Sequence, residues 1–195
     1  MSIITDSDAQ DRADMEKLQA GHDAALNELM ERHATPVFHF LCRMTGNPDD
    51  ANDLAQETFV RVFKSCKSFR PGEKFSTWLF TIAANLGRNH FRWRSRHPNV
   101  SMDAENSETD QTLGSTLPSK SPAPNEAALA GERAAAVRQA VQKLPDDLRE
   151  AIVLCEWEER SVAEAATILD ATPKAVESRL YRARQILRER LKSWL

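Results

Sequence analysis

The stretch Phe75 to His97, FSTWLFTIAANLGRNHFRWRSRH, constrains this chain more than any other. Phe75, Trp78, Leu79, Ile82, Ala83 and Leu86 fall at i, i+3, i+4, i+7, i+8 and i+11, the period of one buried helical face. Ser76 is placed to cap that helix, with Phe75 and Phe80 as a hydrophobic staple across the cap. The second half changes character. Arg88, Arg92, Arg94 and Arg96 alternate with Phe91 and Trp93, and no Asp or Glu occurs from 75 to 97. A second line, Thr77, Thr81, Asn85, Arg88 and Arg92, runs down the other face and needs a partner or water. A helix rooted in a core and emerging as arginines among aromatics suits a polyanion with stackable bases.

Total charge does not carry that reading, because the net charge of the 195 residues is -3. Its distribution does. Between 174 and 195, Lys174, Arg179, Arg182, Arg184, Arg188, Arg190 and Lys192 face only Glu177 and Glu189, a balance of +5. Between 98 and 131, Lys120 stands against Asp103, Glu105, Glu108, Asp110 and Glu126, a balance of -4. Residues 98–126 lack periodicity and carry Pro118, Pro122 and Pro124, so they read as a flexible acidic linker. The expected architecture is all-α: a helical domain over 1–97, the linker, and a second helical domain over 127–195.

Within the first domain, residues 11–33 read as a helix pair broken at Gly21-His22-Asp23, and the apolar signal continues from Pro36 to Met44. Asn47 caps the next helix, Pro48 fits its first position, and Asp49 and Asp50 favour the positive end of its dipole. That helix, to about Ser68, has an apolar stripe of Leu54, Ala55, Phe59, Val62, Phe63 and Cys66. Its other face is charged, with Asp50, Asp53, Glu57, Arg61 and Lys64, and suits either solvent or a docked protein helix. Phe69 to Lys74 is a turn-rich loop.

Ala127 to Lys143 reads as the next helix, and Pro145-Asp146-Asp147 starts another bearing Leu148, Ala151, Ile152, Leu154 and Cys155. The segment from Ser161 to Arg188 then follows helix-turn-helix logic. Ser161 and Glu164 form a capping box, Asp170-Ala171 turns the chain, and Thr172 with Pro173 starts a second helix. Val176, Leu180, Ala183 and Leu187 face inward. Lys174, Glu177, Ser178, Tyr181, Arg182 and Gln185 face outward, where a recognition helix meets a major groove.

Other classes find little support. Cys42, Cys66 and Cys155 are odd in number and widely spaced, which favours a reducing cytoplasm over a disulfide scaffold. His33, His39 and Cys42 lack a fourth zinc ligand at a usual spacing and read as core or surface. The N-terminal MSIITDSDAQDRAD is acidic, unlike a signal peptide, and no apolar run approaches the roughly 18 residues of a membrane span. No nucleophile-base pairing, metal spacing or phosphate-cradling loop appears, so an enzyme is not expected and no cofactor is implied.

Four segments in order, DDANDLAQETFVRVF (49–63), FSTWLFTIAANLGRNHFR (75–92), LPDDLREAIVL (144–154) and ATPKAVESRLYRAR (171–184), resemble the regions of bacterial sigma factors of the extracytoplasmic-function group. The resemblance implies a subunit of RNA polymerase that directs promoter-specific initiation, in a stress or envelope response. The first domain would dock on the beta-prime coiled coil through Asp50, Asp53, Gln56 and Glu57. It would hold an unstacked base of the minus-10 element with Phe69, Arg70, Lys74 and Asn85, and the melted strand with Arg88, Arg92 and Arg94. The second would read the minus-35 element through Lys174, Glu177, Ser178, Tyr181 and Arg182, beside a contact to the beta flap. Glu177 could only accept from a base amino group. The third globular domain of housekeeping sigma factors is not expected, and a separate anti-sigma protein is expected by analogy. The rival is a freestanding helix-turn-helix regulator whose first domain dimerises.

Overall fold

The structure is a computed structural model that describes residues 3–70, 72–97 and 124–194. Among them it is helical, with no strand. Helix α1 (Ile3–Gln19) turns at Gly21, whose φ of 92° is open to glycine without a Cβ clash, into α2 (Ala25–Thr45). Ala25, Leu29, His33, Val37, Phe40, Leu41 and Met44 form the buried stripe of α2, which runs on through Pro36. Arg32 reaches Asp11 at 2.9 Å and Asp14 at 2.6 Å, and His33 Nε2 lies 2.8 Å from Asp11. These buried carboxylates therefore tie α1 to α2, and His33 is a core group.

Helix α3 (Pro48–Ser65) begins as its sequence dictates: Asn47 accepts from the Asp49 and Asp50 amides, with Pro48 next in line. Its last turn tightens to a 3-10 turn at Cys66–Ser68. Phe63, expected in the buried stripe, is 42% exposed beside Val60 at 41%, because the core side of α3 is already filled by Ala55, Phe59 and Val62. Helix α4 (Phe75–Arg96) starts two residues earlier than a Ser76 cap allows. Lys74 holds the cap position and makes no side-chain cap bond, so neither the Ser76 cap nor the Phe75–Phe80 staple forms. Ser76 and Phe80 are instead fully inside, at 4% and 0% exposure.

In the second unit α5 (Pro124–Gln142) begins within what the sequence reads as the end of the linker; residues 98–123 lie outside the described residues. Helix α6 (Asp146–Ile152) continues as a π-helical turn, Val153–Trp157, which sequence periodicity did not show. Helices α7 (Val162–Ile168) and α8 (Pro173–Arg190) start with the expected caps, the Ser161–Glu164 box and Thr172 accepting from Ala175. Asp170 makes the turn between them with a φ of 49°.

The two units pack on each other, with one buried cluster running from Met15 to Ala183. Contacts join α2 to α5 and to the π turn, and α4 to α7. Arg149 is the polar centre of the seam. Its guanidinium donates to the carbonyls of Met44 at 3.0 Å and of Gln142 and Leu144 at 2.8 Å, and lies 5.3 Å from the Phe91 ring. Gln142 donates to the Arg43 carbonyl at 2.7 Å, and Arg43 meets Glu158 at 3.2 Å. Three carbonyls around one guanidinium satisfy backbone that ends α2 and α5, which a hydrocarbon could not.

Candidate nucleic-acid interface

The loop before α4 is held from below. Gln19 Nε2 donates to the carbonyls of Cys66 and Phe69, both at 2.9 Å, so α1 sets where the loop ends. Phe69 is 5% exposed, its ring 5.4 Å from Trp78 and 6.1 Å from Phe75. It therefore props the loop from inside the aromatic cluster, while Arg70 is exposed. Lys74 is half-buried, 3.1 Å from Glu164 of α7 and 3.7 Å from Asp8.

On α4 itself Asn85 is exposed and accepts a hydrogen bond from Arg88. Arg88 also points at Glu150 of α6, at 3.7 Å. Burial pushes the Glu150 carboxyl up to about 7, against the pull of Arg88 and Arg179 and with the help of Asp146 and Asp147. One turn on, Arg92 is exposed, and Arg94 donates to Asp50 at 2.9 Å, with His90 Nε2 at 3.2 Å from the same carboxylate. Trp93 is 47% exposed and stacks on His97 at 5.0 Å, whereas Phe91 is half-buried under Arg149. Of the interleaved aromatics, Trp93 is the one with a free face.

The face of α3 splits similarly. Asp53 and Gln56 are exposed, Asp50 is engaged by Arg94, and Glu57 accepts from Arg61 at 2.8 Å, which draws its carboxyl below the usual range. Val60 and Phe63 add an apolar edge to this polar surface. On α8, Lys174, Glu177, Ser178, Tyr181, Arg182 and Gln185 are all exposed, Tyr181 at 64%. Gln185 donates to the Tyr181 hydroxyl at 2.7 Å, and Arg182 lies 3.7 Å from Asp147. Their inner counterparts Val176, Leu180 and Ala183 are buried. The α8 face is thus a helix surface rooted in a core and free to enter a groove.

Both surfaces have counterparts in known proteins. Residues 29–97 match the family described as sigma-70 region 2, and residues 134–187 match sigma-70 region 4. The chain belongs to the sigma-70 family, as a sigma factor of the extracytoplasmic-function type. It is 33% identical to the RNA polymerase sigma-H factor of Pseudomonas aeruginosa over 95% of this chain and 96% of that one. It is 32% identical to the extracytoplasmic-function sigma factor SigW of Bacillus subtilis, over 91% of this chain and 95% of that one. Among solved structures, CnrH in complex with the cytosolic domain of CnrY superposes with a TM-score of 0.70 at 27% identity, covering 94% of this chain and 98% of that one. The sigma factor RpoE of Bartonella quintana, crystallised with the anti-sigma factor NepR, gives 0.65 at 26% identity, over 85% and 96%.

Sigma factors are transcription initiation factors. Among the described residues no cluster of His, Cys, Asp or Glu could hold a metal, and no helix is long and apolar enough to cross a membrane. Sequence reasoning missed Gln19, Arg149, Glu150, Arg160 and Glu164 as organisers of these surfaces. Arg149 carried a usable signal: it sits three and four residues before Ile152 and Val153, on the buried phase of its helix.

Proposed function

We propose that this sigma factor docks on core RNA polymerase through the exposed face of α3, opens the minus-10 element along α4, and reads the minus-35 element with α8. The exposed amide of Asn85, hydrogen-bonded by Arg88, is the observation that supports this division of labour most. A carboxamide can hydrogen-bond an unstacked base edge, and guanidinium groups one turn along can hold the phosphates beside it. Arg92 and Trp93 extend the path, one for backbone and one for stacking. Asp53, Gln56 and Glu57 with Val60 and Phe63 offer polymerase a mixed polar and apolar helix surface.

The site of action is the cytoplasm, where RNA polymerase works. The partners named for CnrH and for the Bartonella quintana factor support a separate anti-sigma protein here as well. The test is Asn85→Ala, assayed with core polymerase. Run-off transcription and permanganate reactivity of the melted strand should fall about tenfold, the scale of one lost base contact, while binding to core polymerase stays within twofold. Equal loss of both would make Asn85 a structural residue. Stable, specific duplex binding by the chain alone, with no stimulation of initiation, would favour a freestanding regulator.

A further inference from the structure

Helix α1 precedes residues 29–97, the stretch that matches sigma-70 region 2, yet it holds the loop that leads into α4. Its seat on α2 is fixed. Met15 and Leu18 are buried, and Arg32 of α2 donates through Nε to Asp11 and through Nη2 to Asp14, both buried carboxylates. Two charge-assisted bonds about one turn apart set both the rotation and the register of α1. Whatever the end of α1 touches is therefore held in place as well.

That end is Gln19. Its side-chain amide carries two N–H groups, and they meet two carbonyls, those of Cys66 and Phe69, each at 2.9 Å. Among the described residues no backbone amide donates to the Phe69 carbonyl, so this side chain supplies what the main chain does not. At the other end of the loop Asp8 of α1 lies 3.7 Å from Lys74. Helix α1 thus touches the loop where it leaves the 3-10 turn and where it enters α4. Phe69 itself points inward, so the outward groups of the loop, Arg70 among them, are aimed by the course of the backbone. A fixed frame rejects a base that does not fit, whereas a loose one adjusts to it.

We propose that α1 is a specificity element of the minus-10 readout, in which Gln19 is a positioning residue that fixes the loop from Phe69 to Lys74 and thereby sets how strictly the unstacked base is chosen. The inference rests on the minus-10 role proposed above for this loop and Asn85. The probe is a duplex pool randomised across the minus-10 and minus-35 elements, from which heparin-resistant complexes with core polymerase and the whole chain are isolated and sequenced. Gln19→Met keeps the length of the side chain and removes both donors. It should lower the enrichment of the preferred base at the most selective minus-10 position by about fivefold, the scale of one net hydrogen bond. Minus-35 enrichment and affinity for core polymerase should stay within about twofold of wild type, a split that general loosening of the fold would not produce.

Gln19→Met with the wild-type minus-10 profile overturns the proposal, as does an equal fall in both elements. Should Gln19→Met lose its helical circular dichroism, Gln19→Ala replaces it under the same criteria; loss of fold in both makes Gln19 a structural residue and overturns the proposal. Asn85→Ala separates the two readings. Minus-10 enrichment that survives Asn85→Ala overturns the minus-10 role of this site, and the specificity role of α1 with it; enrichment lost in Asn85→Ala but kept in Gln19→Met overturns the role of α1 only.

Discussion

Helices α4 and α8 carry the same kind of surface in different circumstances. Both are rooted by an apolar stripe and end in arginines. On α4 two arginines meet carboxylates from outside the helix, Arg88 at Glu150 and Arg94 at Asp50, as Lys74 at its cap meets Glu164, while Arg92 is exposed. On α8 the outward residues stand in solvent, and Arg182 has only Asp147 at 3.7 Å. The difference lies in burial: α4 is packed between α3 of its own unit and α7 of the other, while α8 packs only on its inner side. A helix enclosed on two sides is rigid and easily covered, and one enclosed on a single side stays available.

Stability should expose that contrast most strongly. Phe80→Ala removes a fully buried ring that serves both units, and should cost about 3–5 kcal/mol in urea denaturation. A loss below about 1 kcal/mol would mean that the site collapses freely and that α4 is not enclosed as described.

Next in size is the response to pH. Glu150 is flanked by Arg88 of α4, Arg179 of α8 and Asp146 and Asp147 of its own helix, and its carboxyl is raised to about 7. An acid raised in the folded state binds its proton more tightly there than when unfolded. Its stabilising contribution is therefore complete below the ordinary carboxyl range near 4.5, and is lost as pH rises through 7. The full swing is at most about 3 kcal/mol. Glu150→Gln should flatten the fall in melting temperature between pH 5 and pH 8, conditions that bracket the titration of a carboxyl displaced to about 7. A wild-type fall that persists unaltered in the variant would assign the pH response to other groups.

The smallest effect belongs to the open helix. Arg182→Ala should leave stability within about 0.5 kcal/mol, since its ion pair with Asp147 is exposed. Discrimination between promoters differing in the minus-35 element should still drop about fivefold to tenfold in run-off transcription with core polymerase. Unchanged promoter preference would remove Arg182 from the readout.

Much of this molecule is local, and what is local was legible. The Asn47 cap with Pro48, the Ser161–Glu164 box and the Thr172-Pro173 start depend on residues within one turn of each other, so their chemistry can be read along the chain. The outward set on α8 follows from helical period once Val176, Leu180 and Ala183 are assigned inward. Phe63 shows where period stops helping: apolar residues also serve surfaces, and only the packed neighbours decide which side of α3 is full.

Sequence alone determined the order of the helices, the starts of α3, α7 and α8, and the two basic faces, because caps and 3.6-residue periodicity are properties of neighbouring residues. Tertiary structure decided that Ser76 would receive Arg160 rather than cap α4, that Phe69 would lie inside its aromatic cluster, and that Arg149 would gather three carbonyls. Those outcomes join residues up to 105 positions apart. Such contacts form through burial and hydrogen-bond satisfaction across a seam, for which no spacing along a single chain supplies a signal.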